Sequence, residues 1–110
     1  MLYVVIAYDG TEPGTLERRM QVRPAHTANG EKMMQDGSFL FGGAILDGAG
    51  KMSGGVLVVD FESRAEIDEW LANEPYIINK VWERVEVHPF LVPPQFLNLL
   101  PKYQEQPASS

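Results

Sequence analysis

The stretch RRMQVRPAHTANG, Arg18 to Gly30, sets one of the chain's two histidines among arginines in a segment of helical character. At roughly 100° per residue, Arg19, Arg23, His26 and Gly30 fall within a sector about 60° wide. An imidazole titrates near neutrality and can pass a proton to or from a bound molecule. Guanidinium groups on the same stripe can hold an anionic group, gripping a carboxylate with two parallel hydrogen bonds. Each residue also has a plainer role. His26 could be a half-buried side chain satisfied by one hydrogen bond, and Arg19 and Arg23 could pair with Glu12, Glu17 or Glu31 on a solvated face. Gly30 lowers helix propensity and leaves the backbone approachable.

The elements that must position these residues follow from periodicity. LYVVIAY, Leu2 to Tyr8, is apolar, β-branched and aromatic and ends at Asp9-Gly10, which predicts a buried strand. Thr15 to Gln35 is helical, with Leu16, Met20, Thr27 and Met34 expected on the core side and Gly37 as the stop. Pro24 cannot donate to the carbonyl four residues earlier, so the helix is expected to kink or restart near Arg23. Ser38 to Leu46 and Gly54 to Phe61 read as strands joined by DGAGKMS, a hairpin loop. SRAE, Ser63 to Glu66, has capping-box spacing and opens a second helix that ends before Pro75. A last strand begins near Trp82, with Val85 and Val87 alternating against Arg84, Glu86 and His88.

This order, β-α-β-β-α-β, predicts an α+β ferredoxin-like fold: a four-stranded antiparallel sheet with two helices on one face. The other face, expected to carry Tyr3, Val5 and Ala7 or Val56, Val58 and Asp60, is too apolar to stay wet. A homodimer packed sheet on sheet, with a cavity at its edge, is the expected consequence. Residues 1–92 form the domain and residues 93–110 a C-terminal extension, partly flexible, whose apolar QFLNLL either packs on its own domain or reaches a partner.

Composition narrows the chemistry. With 110 residues the chain suits one domain, and its net charge of -6 argues against a non-specific nucleic-acid binder. It has no cysteine, which excludes disulfides, thiolate nucleophiles and Cys-based zinc sites. The apolar N-terminus lacks a charged leader region and is too short to span a bilayer, so no membrane partner and a cytoplasmic location are expected. No metal is expected, because His26, Glu74 and Asp9 lack the spacing of a ligand set. FGGA and SGG do not open helices as phosphate loops do, so no nucleotide cofactor is expected; they suit bulges or close backbone approach beside a cavity. His88 reads as an exposed strand residue.

Four segments taken together, TLERRMQVRPAH, DGSFLFGGAI, the Gly54-Gly55 strand and LANEPYIINKVWERVEVHPF, resemble the YCII-related family of small dimeric α/β-barrel proteins. That family is similar in fold to muconolactone isomerases. The resemblance implies a pocket centred on a histidine and an acidic residue acting as a catalytic dyad, and a relative that removes chloride from a hydroxylated chloroaromatic. His26 takes the histidine position. The acidic position, usually in Asp-Pro-Tyr, here reads Glu74-Pro75-Tyr76, whose longer carboxylate must fold, or start from a more distant backbone, to reach His26. Tyr76 would line the cavity or pack in the core. Two expectations result: a lyase- or isomerase-type enzyme in which His26 exchanges protons, Glu74 orients it and Arg19 and Arg23 anchor a small acidic or phenolic substrate; or a non-catalytic dimeric module that binds a small molecule or supports an assembly.

Overall fold

A computed structural model describes residues 1–100 of the chain. Strands β1 (Leu2–Asp9), β2 (Phe39–Leu46), β3 (Met52–Asp60) and β4 (Trp82–Pro89) form one antiparallel sheet in the order β2-β3-β1-β4. Helices α1 (Thr15–Asp36), α2 (Arg64–Asn73) and α3 (Pro75–Ile78) connect them, and a 3-10 segment spans Pro94–Leu99. This is the ferredoxin-like arrangement, with one short helix more than the sequence suggested. The expected flexibility of the chain's end concerns residues 101–110, which lie outside the described residues.

Local chemistry explains most boundaries. Gly37, at φ 87°, ends α1 in a left-handed turn in which its own N–H reaches the Met34 carbonyl and that of Ser38 reaches the Met33 carbonyl. Ser63 Oγ accepts the Glu66 N–H at 3.3 Å to start α2, while the Glu66 carboxylate reaches back to the Glu62 N–H, one residue earlier than a reciprocal box requires. α1 does not restart at Pro24 but runs through it as one element. Pro24 and Met20 both lie on the exposed side, so water can satisfy the carbonyl that the proline leaves without a donor.

Two assignments of faces need correction. The side of α1 turned to the sheet is marked by Thr15, Arg19, Val22, His26 and Met33, not by Leu16, Met20, Thr27 and Met34; Met20 and Met34 are about half exposed. The inner stripe is rotated from the expected one by about 110°. Apolar count misleads here because the inward side is occupied by polar residues of a site. Tyr3, Val5 and Ala7 pair with Val59, Leu57 and Gly55 and join Ile67 and Tyr76 in the core beneath the helices. Only Val56, Val58 and Asp60, opposite Ile6, Val4 and Leu2, belong to the face without helices. An uninterrupted apolar strand has no alternation from which its inward parity can be read.

Close packing where β1 meets β3 yields a stability prediction. A Cβ on Gly54 would lie 2.3 Å from the Ala7 carbonyl oxygen, whereas one on Gly43 would meet nothing within 4 Å. Gly54→Ala should therefore cost about 1–3 kcal/mol in chemical denaturation, and Gly43→Ala should leave the packing undisturbed.

Candidate functional site

His26 projects from the middle of α1 and Glu74 sits at the junction of α2 and α3, 48 residues apart in sequence, yet Nδ1 of one and Oε1 of the other are 2.5 Å apart. Pro75 creates this junction. The residue before a proline is driven out of the helical region, and Glu74 adopts φ -69°, ψ 126°, which breaks the chain's helical path between α2 and α3. Its side chain folds back so that Oε1 also accepts the Tyr76 N–H at 3.3 Å, capping α3. Folding of the longer side chain is what lets a glutamate reach the histidine.

Glu74 is 1% exposed, His26 about a quarter. An ionised carboxylate can only accept, so Nδ1 must donate whenever it faces one, and a neutral ring in that contact has Nε2 as its free nitrogen. The imidazole stacks on Tyr76 with centroids 4.1 Å apart and meets Trp82 edge-on at 5.6 Å. Two aromatic walls and one buried carboxylate thus fix both the plane and the tautomer of the ring.

The arginines of the stripe separate. Arg19 is buried; Nη1 pairs with Asp9 at 3.2 Å, Nη2 donates to the Gly54 carbonyl at 3.2 Å, and the guanidinium lies 4.7 Å from the Tyr76 ring centroid. Its partner is therefore Asp9, not one of the glutamates considered from sequence. Arg23 is exposed at the mouth of the site. Burial pushes the Asp9 carboxyl above its ordinary value, against the opposing pull of Arg19. Burial likewise raises the Tyr76 phenol, opposed by Arg19 and Arg23 and reinforced by Asp9 and Glu74.

A cavity of about 330 Å³ opens beside these groups, lined by Arg19, Arg23, His26, Tyr76 and Trp82 on one side and by the glycine-rich strands β2 and β3 on the other. Four of its lining residues present no side chain: Gly30 on α1, and Gly42, Gly43 and Gly55 on the strands, which explains FGGA and SGG as one wall of a space rather than a phosphate loop. Trp82 Nε1 and Arg19 Nε are buried without a hydrogen-bond partner among the described residues. Sequence reasoning brought His26, Glu74, Tyr76, Arg19 and Arg23 to this place but missed Asp9 as the brace of Arg19, and Trp82 as a wall. Asp9 follows the bulge where β1 shifts register against β4, and only that irregularity could have hinted at it. His88 stands apart on β4, more than half exposed and 3.2 Å from Glu86.

The raised Tyr76 phenol can be checked in alkali. Its protonated form contributes stability that is present below the ordinary value of 10.0 and is lost as pH rises through the higher folded value. Tyrosinate absorbance should show a late-ionising component, coincident with the onset of alkaline unfolding, that Tyr76→Phe removes.

Among the described residues no helix is long and apolar enough to cross a membrane. In structure, the chain is similar to 5-chloro-2-hydroxyhydroquinone dehydrochlorinase (TftG) from Burkholderia phenoliruptrix AC1100, solved in complex with 2,5-dihydroxybenzoquinone. The TM-score is 0.76 at 23% identity, over 86% of this chain and 98% of that one, a likeness of fold. In sequence, it is 28% identical over 88 residues to aspercryptin biosynthesis cluster protein B of Emericella nidulans, covering 72% of this chain and 56% of that protein. It is 35% identical over 96 residues to Protein YciI of Escherichia coli O6:H1, covering 82% of this chain and 96% of that protein. The model of the YCII-related domain matches residues 1–91, and with that match the chain belongs to the YCII-related family.

Proposed function

We propose that the protein is a small-molecule enzyme of lyase or isomerase type, in which His26 is the general acid/base and Glu74 its orienting carboxylate. The observation that carries this reading is the His26–Glu74 contact of 2.5 Å at the wall of an open cavity. With Nδ1 committed to Glu74, Nε2 accepts a proton from a bound molecule and returns it, and the buried carboxylate stabilises the imidazolium formed in between. No cofactor enters this scheme. Arg23, exposed at the mouth, anchors the anionic group of a small acidic or phenolic substrate; Arg19 adds its positive field, and Tyr76 lines the space. A flat ring suits a slot bounded by stacked aromatics and a wall of glycines. The substrate for which the Burkholderia dehydrochlorinase is named, a hydroxylated ring, is of this kind.

The working unit in this reading is a homodimer joined through the face without helices. Val4, Ile6, Val56 and the exposed Phe41 lie there as an apolar patch that water disfavours. Ile6→Asp should convert the dimer to monomers in sedimentation equilibrium.

A thermal-shift screen of small acids and phenols tests the chemistry. Compounds that stabilise the wild type but not His26→Ala support it. Compounds that stabilise both equally, with no turnover by the wild type, would favour the non-catalytic binding module.

A further inference from the structure

The short bond between His26 and Glu74 joins α1 to the start of α3, and α3 cannot hold itself in place. It is a single turn, Pro75–Ile78, far below the length at which a helix persists unaided. A second tie exists at its other end. Arg18, on α1, donates from Nε to the Asn79 carbonyl at 2.9 Å and from Nη2 to the Lys80 carbonyl at 2.8 Å. These are the carbonyls that follow the last turn of α3, and a guanidinium fork matches two successive oxygens as an ammonium cannot. Lys80 itself is held at φ 58°, the one non-glycine residue with positive φ among those described, in a conformation an L side chain resists. The Val81 N–H then returns to the Tyr76 carbonyl at 2.8 Å, and Gly10 of the β1 loop donates to Val81.

We propose that Arg18 is a positioning residue for the His26–Glu74 pair, a proposal that rests on the function inferred above. Arg18 and His26 stand eight residues apart on α1, about 12 Å along a rigid helix. One grips the end of α3 and the other its beginning. With both ends tied to one helix, α3 cannot pivot, and the carboxylate at its N-cap stays in line with Nδ1. The unusual backbone at Lys80 aims two carbonyls at Arg18, so the strain there is offset by the fork. Arg18 touches neither the cavity nor the imidazole, and acts only through α3.

Imidazole ¹⁵N shifts of His26, recorded where the ring is neutral, report which nitrogen holds the proton. The wild type should show a locked Nδ1–H tautomer, and Glu74→Gln should lose that lock. Arg18→Ala should shift His26 toward a mixture with the Nε2–H form while the amide spectrum of the sheet is retained; Arg18→Lys, which keeps the charge but not the fork, should recover the lock only in part. If Arg18→Ala does not fold, the double variant Arg18→Ala/Lys80→Gly, freed of the left-handed strain, takes its place and should show the same mixture. A wild-type lock that survives loss of Arg18 overturns the clamp alone. A wild type without the lock overturns the pair and the clamp together.

Discussion

Arg19→Ala is expected to destabilise the fold by about 3–5 kcal/mol, the range found when one partner of a buried ion pair is removed. Arg19 and Asp9 have side chains only 5% and 6% exposed, so the carboxylate left behind would be a buried charge with no counter-ion. The Gly54 carbonyl would lose its donor and the Tyr76 ring its cation at the same time. Urea denaturation should show the loss as a lower midpoint with little change in slope. The pH dependence should change as well. With its upward-shifted carboxyl, Asp9 contributes stability that is full below its ordinary value of 3.8 and declines as pH rises through the folded value. Removing the nearby guanidinium takes away the positive charge that holds that value down. The decline should then extend to higher pH, and Arg19→Ala should lose more stability at neutrality than in acid. A variant as stable as the wild type at pH 7 would mean that the pair is not buried in solution.

His26→Ala is expected to lower turnover of a substrate found by the screen by about 10²–10⁴-fold, the usual worth of a positioned general acid/base. Stability should change little by comparison, because the imidazole is partly exposed and opens onto a cavity. Glu74→Gln should give a smaller loss, since an amide still faces Nδ1 but with either its oxygen or its NH₂, and the latter favours the wrong tautomer. Steady-state kinetics of both variants at saturating substrate separate this from binding. Equal turnover by wild type and His26→Ala would remove the imidazole from the chemistry.

The sequence disclosed the succession of strands and helices along the chain, both long helices and the fold class, because β-branched runs, the turn at Asp9-Gly10, Gly37 and Ser63 each act locally. It also placed His26, and through the family motif Glu74, before any geometry was known. What could not be read depended on choices between faces. α1 turns Arg19 and His26 inward and leaves Met20 and Met34 half exposed, the reverse of what hydrophobicity favours, because the inward side belongs to a site. β1 is apolar on both faces, so only its register with β3 decides that Tyr3, Val5 and Ala7 look toward the helices. α3 was hidden because Pro75 marks the end of one helix and, as the first residue of a helix, the start of another. Asp9 read as part of a turn, although its carboxylate reaches ten residues along the chain to Arg19.

The bare wall opposite the imidazole makes this scaffold easy to diversify. A methyl group at Gly55 would have only ordinary contacts, with Leu57 and Trp82 among them, and one at Gly43 would be unopposed, whereas one at Gly42 would press on the Val56 carbonyl at 2.6 Å. Gly43 pairs with Val56 and so faces away from the helices, but a single-base mutation at Gly55, which pairs with Ala7, could narrow the chamber by a small increment while the proton-handling side stays untouched. Related chains could thus come to accept different molecules without rebuilding their catalytic apparatus.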